Sequence, residues 1–148
     1  QFIDEDIIRF EGIEHLKIAL EANELCILST GSYADGAVGF VEALIERDLL
    51  PRNTLEKLII SGAEIDWDTR KVIHANIADN KIKGLYESCQ LKNHSFNPEN
   101  IIGIYVDDPL GNDSGLCALK PECIYLIRTV KNKDKTFGTL RHQDWSEI

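Results

Sequence analysis

The chain has 148 residues, 43% of them hydrophobic and 28% charged, enough for one domain over residues 1–148 with its own core. Ten glycines and four prolines exclude a collagenous or low-complexity chain, and the hydrophobic fraction excludes general disorder. The net charge of −9 is uneven, because residues 1–50 carry eleven acids against three bases; this surface repels phosphate backbones and argues against nucleic acid as a partner.

Glu11 to Glu24 reads as an amphipathic helix, with Ile13, Leu16 and Leu20 at helical spacing, or as a strand with a turn at Glu21-Ala22-Asn23. Leu25-Cys26-Ile27-Leu28 reads as a buried strand broken by Thr30-Gly31. The loop Gly31 to Gly36 opens a helix whose apolar face is Ala37, Phe40, Val41, Leu44 and Ile45, and Pro51 follows it. Leu55 to Ile60 is the next strand, closed by Ser61-Gly62. Asp66 to Asn80 is expected as a helix with Asp66 or Asp68 as N-cap and Val72, Ile73 and Ile77 inward. Gly84 to Ser88 and Ile101 to Val106 read as strands on either side of a polar loop around His94 to Asn100. The run Asp107 to Gly115 is rich in turn formers and acids and reads as a mobile loop. Cys123 to Val130 and Thr136 to His142 read as strands joined through Lys131 to Lys135 in a β-hairpin. The alternation predicts an α/β fold: a layered α/β sandwich with a mixed, largely antiparallel sheet and a C-terminal β-hairpin.

No apolar run approaches the roughly 18–20 residues that cross a bilayer, and the first residues lack the basic flank of a signal peptide, so no membrane partner is expected. The absence of methionine marks a fragment or a processed form. Cys26, Cys89, Cys117 and Cys123 have no C-x-x-C spacing, and the four histidines form no close pair, so neither a metal nor another cofactor is expected. The cysteines read as reduced thiols in a cytoplasmic setting.

Four constellations bear on chemistry. Gly31-Ser32 after a strand is similar to the Gly-Ser loop of nucleotidyltransferases, but Asp66 and Asp68, the only Asp-x-Asp, come far downstream at an expected helix start. The amides of Gly31 to Gly36 at a helix N-terminus could receive an anion, with Gly31, Ser32, Tyr33, Asp35 and Arg141 as binding candidates, although Asp35 opposes an anion and tight packing also explains the glycines. Asp107, Asp108 and Asp113 could hold a divalent cation, but their spacing is not that of an EF-hand, and a solvated turn is the simpler reading. Finally, a hairpin centred on Asn132 or Lys133 makes Cys123 and His142 cross-strand neighbours, about 4.5–5.5 Å apart at Cβ. A thiolate and an imidazole need that proximity, and Arg141 would favour the thiolate, although a buried Cys beside a His is also ordinary packing. Six bases between Lys120 and Arg141 against Glu122 and Asp134 read mainly as a solvated turn.

Gly31-Ser32-Tyr33-Ala34-Asp35-Gly36-Ala37-Val38, with Val41-Glu42-Ala43-Leu44, Leu55-Glu56 and Ile59-Ile60-Ser61-Gly62-Ala63, resembles the chemoreceptor glutamine deamidases (CheD) over residues 25–106. The resemblance implies an α/β sandwich shared with the catalytic domain of cytotoxic necrotizing factor, and a Cys/His pair that deamidates glutamine side chains of a protein. The family's catalytic hairpin precedes the Tyr-Ala-Asp stretch; here the preceding residues hold His15 and Cys26 in reverse order, and the terminal hairpin is the segment similar to it. The chain then resembles a circularly permuted member of that family or, if only the first likeness is real, a relative without the active site.

The leading expectation is therefore a thiol-dependent hydrolase that deamidates glutamine on a partner protein, with Cys123 as nucleophile and His142 as general base. The alternatives are a non-catalytic protein-binding domain that docks a basic partner on its acidic first third, and a nucleotide- or metal-binding domain using Gly31 to Gly36 and Asp107 to Asp113.

Overall fold

Apolar, partly β-branched runs set two neighbouring strands. Cys26-Ile27-Leu28 begins β1 (Cys26–Tyr33) and Leu58-Ile59-Ile60 begins β2 (Leu58–Asp66), and they pair in parallel with Cys26 opposite Leu58. The computed structural model describes residues 10–127 and 141–143, and its contacts form two compact units, residues 1–75 and 76–148.

In the first unit, α1 (Phe10–Ala22) precedes β1, α2 (Ala34–Glu46) follows it, and one turn, α3 (Thr54–Lys57), leads into β2. The parallel pairing needs such a helical crossover. Ile13 and Leu20 of α1, Val41 and Leu44 of α2, Leu50 and Leu58 form its buried core. The Lys57 ammonium donates to the Leu20 carbonyl, satisfying the C-terminal end of α1. β2 does not stop at Ser61-Gly62 as expected. Both residues are buried, and a Cβ at Gly62 would lie 2.6 Å from Ala34 N, so the missing side chain lets the backbone of the neighbouring segment pass close by.

The helix expected over Asp66 to Asn80 is instead a turn followed by β3 (Lys71–His74), antiparallel to β2 with Ile65 opposite Val72. Asp66 Oδ1 accepts from the N–H groups of Asp68 and Thr69, a turn cap rather than a helix cap, and Arg70 takes φ 57°. Val72 and Ile73 are exposed, not inward. The sheet order is β1-β2-β3.

In the second unit, α4 (Asn80–Leu91) replaces the expected strand at Gly84 to Ser88. Its buried residues Lys81, Leu85 and Cys89 recur every four positions, which is the helical period. β4 (Ile104–Val106), α5 (Ser114–Cys117), β5 (Ile124–Ile127) and β6 (Arg141–Gln143) follow, with sheet order β4-β5-β6.

The α/β class holds, but the strand directions differ from expectation. Among the described residues, β1–β2, β4–β5 and β5–β6 are parallel and β2–β3 is antiparallel, so the sheet is not largely antiparallel. The C-terminal hairpin is likewise corrected, because β5 and β6 run in parallel with Leu126 opposite His142. Val106, Ile124 and Leu126 are buried, as apolar strands of a parallel sheet are. The expected connector Lys131 to Lys135 lies outside the described residues.

Candidate functional site

β4 ends at Val106, and the next two residues are Asp107 and Asp108. They open a loop that closes on Asp113. The N–H groups of Gly111 and Asp113 donate to the Asp108 carbonyl, and the Asn112 N–H donates to Asp108 Oδ2. A Cβ at Gly111 would lie 2.5 Å from that same carboxylate oxygen, so glycine leaves room for it.

Asp113 precedes the short helix α5 but does not cap it. Its carboxylate turns back into the loop, where Oδ2 accepts from the N–H groups of Asp107 at 3.3 Å and Asp108 at 3.1 Å. Oδ1 accepts from Lys81 Nζ at 2.6 Å. Burial alone would raise the Asp113 pKa, but the bonds to Lys81 and Asp107, the Lys81 charge and the Asp108 N–H outweigh it. The carboxyl is held below its ordinary value.

Lys81 reaches Asp113 from the first turn of α4, and the backbone leading into that helix is tied to the same loop. Ala78, at φ 49°, donates its N–H to the Asn112 carbonyl at 2.8 Å. A Cβ at Gly115 would overlap the Ala78 carbonyl oxygen, so the two backbones are in direct contact. The expectation of a mobile, solvated turn at Asp107 to Gly115 is therefore corrected. The loop is anchored by a buried ion pair and backbone bonds, and its carboxylates stand at the carboxyl end of a parallel strand.

This end of a parallel sheet is where α/β proteins bind ligands, since neighbouring loops converge there. Among the described residues no group of three His, Cys, Asp or Glu side chains is placed to hold a metal ion, so Asp107, Asp108 and Asp113 do not together form such a set. One or two carboxylates nevertheless suffice for Mg²⁺, which keeps waters and takes its other oxygens from a bound phosphate.

The pair Cys123 and His142 is not brought together by the strands. Cys123 closes a one-turn helix, Pro121–Cys123, just before β5, and its half-buried Sγ lies 3.8 Å from the Ile101 carbonyl oxygen. In the parallel register His142 stands beside Leu126, three residues further on, about 10 Å along the strand. The cross-strand neighbourhood required a hairpin, and the parallel direction removes it.

Gly31, Ser32 and Tyr33 end β1, and Asp35 lies exposed in the first turn of α2. The register of β1 shifts between Ser29 and Tyr33, so Gly31 and Ser32 form an irregularity at the strand end. Arg141 belongs to the other unit, opposite Tyr125 in β6. Of the local bases, Lys120 donates to the Glu99 and Ile101 carbonyls and so serves the fold.

Lys81 is the residue that sequence reasoning missed, because a lysine in a polar stretch reads as solvated. The available signal was its place four residues before Leu85 and eight before Cys89, on the buried face of α4. No protein-family model, curated protein or solved structure matches the chain.

Proposed function

We propose that the second unit is a Mg²⁺-dependent phosphate-handling domain, acting on a phosphate ester of a small molecule by phosphoryl transfer or hydrolysis. The observation that carries this reading is the buried Lys81–Asp113 pair, which ties the carboxylate loop to the carboxyl end of β4. Burying two charges is costly, and apolar residues of similar volume would stabilise a fold as well or better, so the pair makes most sense as a device for placing charge. Asp107 and Asp108 supply carboxylate oxygens for a hydrated cation. Asp113 is fixed by Lys81 and, through its other oxygen, holds the backbone N–H groups of Asp107 and Asp108, so the pair positions the carboxylate loop. The cation, when bound, neutralises phosphate oxygens and orients the ester.

The reading is tested by thermal unfolding with MgCl₂, inorganic phosphate, or both, and by turnover of p-nitrophenyl phosphate. The midpoint should rise most with both, because ligands that bind only the folded state stabilise it by about 2.7 kcal/mol at a hundredfold excess over Kd. Asp108→Asn should abolish the Mg²⁺-dependent part. A midpoint indifferent to Mg²⁺ and phosphate together rejects the proposal. A thiol hydrolase using Cys123 and His142 has less support, since the β5–β6 register separates the two along the strands.

A further inference from the structure

The first unit carries an exposed aromatic and aliphatic patch that its core does not use. Trp67, at the tip of the β2–β3 hairpin, is 62% exposed, and its ring meets that of Tyr33 edge-to-face with centroids 5.4 Å apart. Val72 and Ile73, adjacent on β3, are 61% and 67% exposed. The β2–β3 register shifts between Glu64 and Ile65, which leaves Ile73 as an extra residue between Val72 and His74, so strict alternation of faces does not apply there and both side chains stay uncovered. Among the described residues β3 pairs only with β2, which makes it an edge strand.

The tip is held in shape. Asp66 caps the turn through two backbone N–H groups, and the Tyr33 ring braces Trp67 from the side. A rigid, exposed Trp beside a Tyr and β-branched residues is what a protein-binding hot spot requires, because large contact area is gained with little lost freedom.

Charge selects the partner. Residues 1–75 carry fifteen acids against seven bases, a net −8. Asp35 lies two residues from Tyr33, Asp68 is next to Trp67, and Glu64 pairs with His74; all three acids are exposed. Arg70 and Lys71, on the return of the hairpin, only partly offset them. We infer that this hairpin docks a basic segment of a partner protein. Apolar side chains of that segment cover Val72 and Ile73, and a lysine or arginine lies over the Trp67 ring while its charge is met by the neighbouring carboxylates.

The test uses a Trp145→Phe background, in which Trp67 is the remaining tryptophan and its emission reports the patch. The probe is a synthetic peptide of alternating lysine and leucine, with a glutamate–leucine peptide of the same length as its counterpart. The lysine peptide should change Trp67 emission on binding, and raising salt from about 50 to 500 mM should weaken it. Removing the aromatic anchor by Trp67→Ala, with binding then followed by calorimetry, should weaken it about tenfold. Ile73→Lys, an exposed substitution that adds a repelling charge, should weaken it as well, and it replaces Trp67→Ala if that variant misfolds. Equal binding of the glutamate peptide, or full binding by the substituted variants, overturns the inference. So does a blue shift with phosphatidylcholine vesicles alone, which would assign the patch to a lipid surface. A dimer in sedimentation equilibrium that Ile73→Lys dissolves would assign it to a second copy, with the same effect.

Discussion

Lys81 Nζ lies 2.6 Å from Asp113 Oδ1, and both side chains are more than nine-tenths removed from water, at 4% and 9% exposure. The other oxygen of the same carboxylate is occupied by two backbone N–H groups from the start of the loop, so one side chain joins α4, the end of β4 and α5. The second unit thereby spends a costly ion pair on holding a loop rather than on filling a core.

Removing one partner leaves the other charged and buried. Lys81→Met should therefore lower unfolding stability by about 3–5 kcal/mol, read from urea midpoints. The double variant Lys81→Met, Asp113→Leu should recover much of that loss, because no buried charge is left unpaired, yet it should show no Mg²⁺-dependent rise in midpoint. Recovery of both stability and the Mg²⁺ effect would make the pair a structural clamp alone.

Acid should act through the same carboxyl. Asp113 is depressed in the folded chain, against an ordinary carboxylate value near 3.9 in the unfolded chain. The unfolded state therefore takes up the proton first. The stability from Asp113 is fully present above the ordinary value and is lost as pH falls through the folded one. The difference in urea midpoint between the native chain and Asp113→Asn should stay constant near neutrality and shrink below about pH 4. A gap that persists unchanged into acid would mean that the Asp113 charge contributes little.

Two glycines of the first unit should respond in opposite ways to alanine. At Gly62 a Cβ would press on Ala34 N at 2.6 Å and Ser32 O at 2.7 Å, backbone atoms that cannot step aside, so Gly62→Ala should cost about 1–3 kcal/mol. At Gly36, within α2, the nearest atom is Cδ2 of the exposed Tyr33 ring at 3.3 Å, which can shift. Gly36→Ala should then be neutral, or stabilising by up to about 1 kcal/mol through helix propensity. Thermal unfolding of both variants separates the two cases.

What could be read from the sequence follows from which signals are local. α1, β1 and α2 are short-range patterns and form close to where the pattern puts them, although β1 runs on through Gly31 to Tyr33 instead of breaking there. Strand direction is not local. Ile124 to Ile127 suits a parallel or an antiparallel neighbour equally well, and the choice is made by pairing with β4, some twenty residues away in the chain. The exchange of helix and strand between Asp66 and Leu91 has a similar origin. Val72 and Ile73 fit a helix face by spacing, but their branched side chains and the capped turn at Asp66 favour an edge strand. The acidic loop was visible as composition, whereas its anchor was not, since the partner of Asp113 lies thirty-two residues upstream.

The cysteines give a test of reactivity that does not depend on the phosphate reading. Burial raises the pKa of Cys26, against a smaller opposing effect of the Lys57 charge, and burial raises that of Cys89 as well. In Cys117 burial acts first and the Asp113 charge adds to it. Since the thiolate is the reacting form, these three should label with iodoacetamide more slowly in the folded chain than in urea, with pH midpoints above about 8.5. Asp113→Asn should lower the Cys117 midpoint and leave that of Cys89 in place, as peptide masses would read out. A midpoint well below the ordinary thiol value at any of the three would contradict the burial that encloses it. In the same experiment, fast labelling of Cys123 that slows when His142 is replaced would show that the chain couples the two despite their register, and would return the thiol hydrolase to first place. A Cys123 rate indifferent to His142 would leave the carboxylate loop as the chemistry to pursue.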